Sequence, residues 1–276
     1  MKVVVKIGGA RAVEPAGALA DVAGLVAEGT AVAVVHGGST AVDDTLERMG
    51  IEPDYVETPT GVVGRFTDAE TMDVFKMAMA GLVNTDLVTG LQNEGVDAVG
   101  LSGVDGRLLT GARKSAVRVV EDDKRKIRRG DHSGRIEAVN ADLLETLFDA
   151  GYTPVASPPM LADDGVAVNT DADRAAAAVA GRLGATLVVL TDVPGILADP
   201  DDPTTRFDEV ASPDVLEHVH EAASGFMTRK VMAAEEALKG GAEAVVVADA
   251  NADQPIRSAL EGDGTTITRA AFADDE

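Results

Sequence analysis

Two short apolar runs near the start of the chain each end in a pair of glycines. They occupy residues 3–9 and 31–38, and both are rich in Val. Unbroken runs of this length predict strands that are buried on both faces of a parallel sheet. Parallel strands end at the same edge of a sheet, and glycine lets a ligand approach the backbone closely. The two turns are therefore predicted to place backbone N–H groups side by side, which suits an anion such as phosphate.

The alternation of apolar runs and helical segments continues to the end of the chain. Such alternation predicts an α/β fold in which a mainly parallel sheet carries helices on both faces. The predicted strands are residues 2–7, 31–36, 98–101, 153–156, 186–190, 244–248 and 265–268. The predicted helical segments are about 16–28, 39–49, 69–94 with a break, 141–150, 169–184, 225–238 and 254–260.

Two stretches lack a clear periodicity. Residues 51–60 contain two prolines and are predicted to be irregular, whereas residues 107–139 are predicted to form short strands and turns. Pro158 and Pro159 predict a stiff segment directly after the strand that ends at 156. The acidic residues 199–209 predict a solvated surface loop.

The chain carries a large excess of acidic residues. Asp and Glu number 47 against 24 for Lys and Arg, which gives a formal net charge of −23. Only eight of the basic residues are lysines. An acid-rich, lysine-poor surface predicts a halophilic source, because self-repulsion destabilises such a protein at low salt. The same charge argues against a nucleic-acid-binding protein, since a polyanion avoids an acidic surface.

Composition also limits the class of protein. With 276 residues, of which 45% are hydrophobic, the chain can bury a large core as one domain or two lobes. No apolar run is long enough to span a membrane, and no basic and apolar leader precedes the first strand. Cys is absent, which excludes disulfides and thiolate metal sites. These features together predict a cytoplasmic protein without a membrane partner.

Several common catalytic motifs are absent from the sequence. There is no Walker A motif, no Gly-x-Gly-x-x-Gly before the first helix and no Gly-x-Ser-x-Gly elbow. His218 and His220 are two positions apart, cannot share a helix face and are predicted to lie on the surface. Apart from the glycine turns, the candidate functional residues are Lys6, Arg65, Asn169, Asp171, Asp173 and Lys230.

These residue types suffice for the transfer of a phosphoryl group onto a carboxylate. The nucleophile is already an anion, so the reaction needs positioning, cations and N–H donors but no general base. Capping of a helix needs one acid, so one of Asp171 and Asp173 is in excess. Ordinary strand–helix turns and helix capping remain an alternative explanation of the same residues.

Seven short motifs are spread over nearly the whole chain. They are Lys6-Ile7-Gly8-Gly9, His36-Gly37-Gly38, Arg65 before Thr67-Asp68, Leu101-Ser102-Gly103-x-Asp105-Gly106, Asn169-x-Asp171-x-Asp173, Thr191-Asp192-Val193-x-Gly195 and Gly225-x-Met227-x-x-Lys230. Together they resemble the amino acid kinase family, and within it the acetylglutamate kinase group. The resemblance implies a three-layer αβα sandwich around a mainly parallel sheet of about eight strands. It also implies an N-terminal lobe, residues 1–165, for acyl substrate, carrier and dimerisation, and a C-terminal lobe, residues 166–276, for ATP.

The resemblance also implies a role for each motif residue. Lys6 and Lys230 would stabilise the transition state, and Asp173 would orient them. ATP would be the phosphoryl donor, with Mg²⁺ held mainly by the nucleotide phosphates. The implied N–H donors to the phosphoryl group are Gly8, Gly9, Gly37 and Gly38, the last two also at the substrate. The implied substrate residues are Arg65 and Asn169, with Arg65 gripping the α-carboxylate. The implied nucleotide residues are Thr191, Asp192, Gly195, Gly225 and Met227.

Two features depart from a plain acetylglutamate kinase. The arginine turn reads Gly64-Arg65-Phe66-Thr67-Asp68, not the more usual Gly-Leu-Arg-Val-Thr-Asp. Residues 124–135, which we term the basic island, hold six of the 24 basic residues and one acid. In so acidic a chain the island predicts a docking site for an acidic partner, although a structural or phosphate-facing loop is the alternative. The docking residues would be Lys124, Arg125, Lys126, Arg128, Arg129 and Arg135.

Both features resemble the LysW-aminoadipate/LysW-glutamate kinase branch of the group. There, glutamate or 2-aminoadipate is tethered by its amino group to the C-terminal glutamate of a small acidic carrier protein. The resemblance implies phosphorylation of the free side-chain carboxylate, giving an acyl phosphate in arginine or lysine biosynthesis. One methylene separates the two acceptors and is worth about 1–3 kcal/mol, so one enzyme can take both.

Two other functions stay open on the sequence. One is a kinase of free N-acetyl-L-glutamate, and the other is a non-catalytic amino-acid or nucleotide sensor of the same fold. A sensor has no reason to keep Lys6, Lys230 and Asp173 together. The start at Met1 leaves no room for the N-terminal arm of arginine-inhibited hexamers, so the resemblance implies a homodimer.

Overall fold

The computed structural model describes residues 1–8, 15–59, 61, 63–121, 124–223 and 225–273. Within these residues, 13 strands join in one sheet and nine α-helices surround it. The strands are β1 (Lys2–Ile7), β2 (Ala31–His36), β3 (Tyr55–Glu57), β4 (Val63–Arg65), β5 (Ala98–Gly103), β6 (Leu109–Glu121), β7 (Lys124–Val139), β8 (Thr153–Ala162), β9 (Ala167–Val168), β10 (Thr186–Thr191), β11 (Glu209–Val210), β12 (Ala244–Asp249) and β13 (Thr265–Thr268). The helices are α1 (Pro15–Ala27), α2 (Ser39–Arg48), α3 (Ala69–Lys76), α4 (Asn84–Asn93), α5 (Ala141–Asp149), α6 (Ala172–Leu183), α7 (Pro213–Ala222), α8 (Gly225–Lys239) and α9 (Pro255–Leu260).

Side chains that alternate along the central strands build two separate cores. Val4 of β1 belongs to the core that includes α6 and α8, whereas Val3 and Val5 belong to the core that includes α1, α4 and α9. Successive residues of a strand point to opposite faces, so a strand covered on both sides needs an unbroken apolar run. The predicted αβα sandwich with a mainly parallel sheet is therefore confirmed.

The predicted number of strands is wrong for the sheet as a whole. Eight strands in the order β11-β13-β12-β10-β1-β2-β8-β5 form its central part, and all neighbours there are parallel except β12 and β13. The strands β3, β4, β6, β7 and β9 extend this part beyond β8. These five strands are short or rich in basic residues, so they lack the apolar runs that predicted the others.

Residues 107–139 do not form short strands and turns as predicted. Most of them form one long antiparallel hairpin of β6 and β7, with two irregularities in its register. Backbone pairing between two strands needs no apolar run, and Val119 is one of the few side chains here that are fully buried. The basic residues of β7 therefore concealed a strand of 16 residues.

Strand β8 also runs past the predicted stop at 156 and includes both prolines. Its register with β5 pairs Ser157 with Ser102 and then Met160 with Gly103, so Pro158 and Pro159 fall in the irregularity between them. A proline cannot donate to a ladder and is tolerated at such a position. The strand therefore continues beyond the prolines.

Two further differences concern helices. The predicted break within 69–94 is a π-helical segment, Met77–Val83, that connects α3 directly to α4. Helix α7 was not predicted, although Ser212 accepts a hydrogen bond from the Val215 N–H and a proline occupies the first position. No helix in the described part of the chain is long and apolar enough to cross a membrane.

Candidate active site

A cavity of about 1240 Å³ opens at the carboxyl ends of β1, β2 and β10. This edge is where open α/β sheets bind their ligands. Although the chain is strongly acidic, the described lining holds eight basic and six acidic side chains, which suits an anionic ligand. The basic residues are Lys6, Arg65, Lys114, Arg135, Arg174, Arg182, Arg229 and Lys230. The acidic residues are Asp43, Glu137, Asp171, Asp173, Asp192 and Glu236.

Lys6 and Lys230 meet at one carboxylate inside this cavity. Lys6 lies near the end of β1, and its Nζ is 2.6 Å from Oδ1 of Asp173. Lys230 lies near the start of α8, and its Nζ is 3.9 Å from Oδ2 of Asp173. The exposed fraction of the side chain is 7% for Lys6, 13% for Lys230 and 14% for Asp173. The fold thus brings together three charged groups that are far apart in the sequence, and it shields them from water.

Asp171 and Asp173 have different roles at the start of α6. The Asp171 side chain accepts hydrogen bonds from the N–H groups of Asp173 and Arg174, at 2.9 and 3.1 Å. It therefore caps the helix, as its position at the first turn predicts. The acid in excess of this requirement is Asp173, whose carboxylate contacts the two lysines.

Burial and charge act in opposite directions on this cluster. Burial alone raises the pKa of Asp173, but the charges of Lys6 and Lys230 outweigh it, so the pKa lies below its usual range. The pKa of Lys230 is lowered, first by burial and then by the charge of Lys6, while Asp173 opposes this shift. Asp173 is therefore ionised at neutral pH and holds together two cations that would otherwise repel each other.

The two glycine turns lie at the cavity, but not all of their backbone N–H groups are free to bind a ligand. Gly8, Gly37 and Gly38 all line it. The N–H of Gly37 donates to the Ile7 carbonyl oxygen at 3.1 Å, so it is not free to donate to a phosphoryl group as predicted. Gly9 lies outside the described residues. Gly8 and Gly38 remain the candidates for backbone contacts with a ligand.

Arg65 lines the cavity and is fixed by residues of α2. Its Nε and Nη2 are 3.0 and 2.8 Å from Oδ1 of Asp43, and Nη2 also donates to the Ser39 carbonyl oxygen at 2.8 Å. The Arg65 side chain is only 6% exposed. None of these contacts uses Nη1. The Nη1 side of the guanidinium is therefore the side left for a ligand, because Asp43 occupies the Nε side.

Asn169 is locked between β7 and the turn before α3. Its N–H donates to the His132 carbonyl oxygen and its own carbonyl accepts from the Gly134 N–H, both at 2.8 Å. Its Nδ2 donates to Oγ1 of Thr67, a fully buried residue, at 3.1 Å. Asn169 and Arg65, the two predicted substrate residues, thus line the same cavity as the lysines.

Only some of the residues predicted to bind the nucleotide line the cavity. Thr191 ends β10 and Asp192 follows it, both at the cavity, and the Thr191 hydroxyl donates to Asp192 Oδ1 at 3.1 Å. Gly195, Gly225 and Met227 are not among the described residues that line it. Gly195 has a φ of 153° and a Cβ there would lie 2.6 Å from a threonine hydroxyl, so its turn requires glycine. Met227, in the first turn of α8, is partly buried against the core that includes α6.

His36, at the end of β2, is fully buried and neutral. Burial lowers its pKa from 6.5 to about 4, although its contact with the Gly37 carbonyl opposes the shift. Its Nδ1 is 2.9 Å from that carbonyl oxygen and its Nε2 is 3.0 Å from Nδ2 of Asn84. Asn84 also donates to the Val155 carbonyl oxygen at 2.9 Å. A ring that carries its proton on Nδ1 satisfies both contacts and ties the second glycine turn to α4 and β8.

The basic island lies on β7, not in a loop. Lys124, Arg125, Lys126 and Arg129 are exposed, and Arg135 is exposed at the cavity. Arg128 forms an ion pair with Asp54, and its guanidinium carbon lies 3.9 Å from the centre of the Phe66 ring. The island therefore contains both exposed cations and one that is anchored on the body of the protein.

Two residues of the site were not predicted from the sequence. Arg229 lines the cavity beside Lys230 and helps to lower the pKa of Asp173. Its position next to a candidate lysine was a usable signal. Asp43 holds Arg65 from 22 positions away, and no pattern in the sequence indicates that pairing.

The profile of the amino acid kinase family matches residues 1–249. The LysW-aminoadipate kinase of Thermus thermophilus is 45% identical over 267 residues, which cover 96% of this chain and 99% of that protein. The acetylglutamate kinase of Methanopyrus kandleri is 43% identical over 236 residues, covering 85% and 89% of the two chains.

Solved structures agree with these sequence matches. The N-acetylglutamate synthase of Neisseria gonorrhoeae, complexed with coenzyme A and N-acetyl-glutamate, has a TM-score of 0.77 at 26% identity, with 97% of this chain and 59% of the synthase covered. The carbamate kinase of Giardia lamblia has a TM-score of 0.67 at 16% identity, with 97% and 98% covered, and shows the same fold. The family that the motifs predicted is therefore confirmed: the chain belongs to the amino acid kinase family.

Proposed function

We propose that the chain is an ATP-dependent kinase of carrier-linked amino acids. It phosphorylates the side-chain carboxylate of glutamate, of 2-aminoadipate or of both, while the amino acid is held on an acidic amino-group carrier protein of the LysW type. The observation that carries the proposal is the buried carboxylate of Asp173 between Lys6 and Lys230 in a cavity rich in basic residues. Relatives named LysW-aminoadipate kinase, at 45% and 43% identity, support the acceptor.

The reaction is a displacement at phosphorus. A carboxylate oxygen of the acceptor bonds to the γ-phosphorus of ATP while the bond from that phosphorus to the β,γ-bridging oxygen breaks, giving an acyl phosphate and ADP. The carboxylate is ionised at neutral pH, so no proton has to be removed. Lys6 and Lys230 neutralise the charge that develops on the transferring group, and Asp173 holds both in place.

The residues beside Lys230 fit ATP and leave Mg²⁺ mainly to the nucleotide. Lys230, Arg229, Thr191 and Asp192 line the cavity together and supply cations and hydrogen-bonding groups for phosphates. The described residues include no cluster of three His, Asp or Glu side chains placed to hold a metal ion. Mg²⁺ binds proteins through one or two carboxylates plus substrate phosphates, and Asp192 is the carboxylate available beside Thr191. When bound, the ion adds positive charge on the phosphates.

We assign most of the acceptor site to the N-terminal half of the chain and one contact, that of Asn169, to the C-terminal half. We assign its α-carboxylate to Arg65, which Asp43 and Ser39 hold in one orientation, and a further hydrogen bond to Asn169. Residues 1–165 would then form the acceptor lobe and residues 166–276 the ATP lobe. The acyl phosphate would serve arginine or lysine biosynthesis in the cytoplasm.

The basic island favours a carrier-linked acceptor over free N-acetyl-L-glutamate. A small free acceptor is recognised inside the cavity and needs no exposed cations on a hairpin. The acetylglutamate kinase at 43% identity keeps that second candidate open to test. A sensor without catalysis is disfavoured, because nothing in ligand sensing requires the two buried lysines to share Asp173.

The acceptor is tested directly by turnover of ATP in high salt with three substrates. They are N-acetyl-L-glutamate, carrier-linked glutamate and carrier-linked 2-aminoadipate. We expect an acyl phosphate, trapped as a hydroxamate, only with the carrier-linked acceptors. Efficient turnover of N-acetyl-L-glutamate would instead identify an acetylglutamate kinase, and the absence of turnover with all three would favour the sensor.

We also propose a homodimer formed across the open edge of the sheet at β5. Among the described strands β5 pairs only with β8, so its other edge is unpaired. The neighbouring π-helical segment exposes Met77 by 54% and Leu82 by 47%. An unpaired edge beside apolar side chains is a natural place for a second copy. Light scattering should give twice the chain mass of 28.3 kDa, and a monomer or hexamer would contradict this assembly.

A further inference from the structure

The β6–β7 hairpin has two faces of different character. Directly paired residues of an antiparallel ribbon share a face, and alternate residues along a strand point the same way. The register pairs Arg118 with Ile127, Val120 with Arg125 and Ala116 with Arg129. These residues therefore share one face. The face that carries Val117, Val119, Lys126 and Arg128 is the opposite one.

The second face is turned toward the body of the protein. Val119 is fully buried there. Arg128 pairs with Asp54 and covers the Phe66 ring. Arg113, four residues before Val117 on β6, forms an ion pair with Asp164 at 3.1 Å. The arginines of this face thus have acidic partners within the chain and help to attach the hairpin.

The first face carries cations that have no such partners. Arg118, Arg125 and Arg129 are exposed and form no ion pair with any described residue. Between them the apolar side chain of Ile127 is 67% exposed. An apolar side chain surrounded by unpaired arginines is suited to contact with an acidic polypeptide.

Cations also lie nearer the cavity, beyond the register irregularity between Lys114 and Ala116. Lys114 lies two residues before Ala116 on β6, and Arg135 lies two residues after Ser133, the partner of Lys114. Both side chains line the cavity that contains Lys6 and Asp173, and neither forms an ion pair within the described chain. Cations without an ion-pair partner among the described residues therefore lie along the hairpin on both sides of this irregularity, as far as the active site.

We propose that this face binds the acidic C-terminal segment of the carrier protein in an extended form. We call the face the basic track, formed by Lys114, Arg118, Arg125, Ile127, Arg129 and Arg135. The inference rests on the proposed function, since the segment must end in the tethered amino acid whose carboxylate reaches Lys6 and Lys230. Exposed arginines at the tip meet the carrier first, and Lys114 and Arg135 guide the last residues into the cavity.

The basic track differs from the basic island in the residues that are proposed to contact the carrier. It excludes Lys124, Lys126 and Arg128, which lie on the opposite face of the ribbon, although Lys124 and Lys126 are exposed there. It adds Arg118, Lys114 and Ile127, two of which come from β6 and fall outside the island. Sequence proximity alone could not separate these groups, because neighbouring residues of a strand point to opposite faces.

Two double variants with equal charge change test the basic track. One reverses Arg118→Glu and Arg125→Glu on the track, and the other reverses Lys124→Glu and Lys126→Glu on the opposite face near the same tip. The probe is the carrier protein charged with 2-aminoadipate. We expect the KM for this acceptor to rise about tenfold or more in the track variant and less than about twofold in the other. Equal unfolding temperatures show that both variants are folded.

The outcomes separate the two proposals. A rise in KM confined to the track variant supports the basic track, because a general charge effect would act on both variants. Equal effects in both variants, or none in either, overturn the track while wild-type turnover of the charged carrier leaves the proposed function intact. No wild-type turnover of the charged carrier overturns the proposed function and the track with it. An Ile127→Ser variant should raise the KM without any change in charge.

Discussion

Replacing Lys230 by alanine is expected to lower kcat by about 10²–10³-fold, the effect of removing one donor that stabilises a transition state. The Lys230 ammonium lies 3.9 Å from Asp173 and is almost buried, so solvent cannot replace it. The KM for the acceptor should change little, because Arg65 and Asn169, which we assign to the acceptor, stay in place. The loss is therefore expected in kcat and not in substrate binding.

The measurement is steady-state turnover of the preferred acceptor at saturating ATP. Lys239→Ala is the matched control, because Lys239 ends the same helix, is 61% exposed and is not among the residues that line the cavity; it pairs with Glu235 at 2.9 Å and lies over the Phe272 ring. The control should keep nearly all of the wild-type kcat. If Lys230→Ala also turns over at nearly the wild-type rate, the assignment of this lysine to the reaction is wrong.

Acidification from pH 7 to pH 5 is expected to remove about 2 kcal/mol of unfolding free energy through His36 alone. The pKa of His36 is about 4 in the folded chain and 6.5 without burial. Between these values the unfolded chain binds a proton that the folded chain cannot accept. The contribution of His36 is therefore complete above pH 6.5 and is lost as the pH falls toward 4.

Denaturant unfolding at both pH values, at constant high salt, measures this loss. His36→Gln should lose about 2 kcal/mol less on acidification than the wild type, because the carboxylates of both proteins titrate alike. His218→Gln removes an exposed histidine of α7 and should keep the wild-type pH dependence. If the glutamine at 36 prevents folding, the ring of His36 can be titrated in the wild type by NMR. A midpoint near 6.5 would contradict the expected linkage.

The strands that could be predicted from the sequence are those whose own apolar side chains indicate that both faces are buried. β1, β2, β10 and β12 are apolar runs covered on both faces, and their bounds agree with the predictions to within one residue. The hairpin of β6 and β7 could not be predicted in this way, because its strands are held by pairing with each other. β8 was predicted to stop at residue 156, before the prolines, since the register irregularity that accommodates them depends on β5.

In the candidate site, too, some residues could be predicted from the sequence and others depend on how the elements pack. Lys6, Asp173 and Lys230 were found because each belongs to a motif that resembles a known family, and no local pattern joins them. Asp43 was missed because its contact with Arg65 depends on how α2 packs against β4. The N–H of Gly37 was assigned to the ligand because a glycine turn was expected to leave it free, but β1 uses it.

The pairing of β1 with β10 has a mechanical consequence for the enzyme. Four successive residue pairs join these parallel strands. The N-terminal part of the chain, which carries Lys6, and the C-terminal part, which contains β10, therefore share one continuous hydrogen-bonded ladder. A hinge between the halves would have to break that ladder. Elastic changes in the twist of the sheet are the cheaper motion, and they would vary the gap between acceptor and nucleotide in small steps. Stiffness of the sheet, and not closure of a lid, would then set how often the reacting groups come within reach.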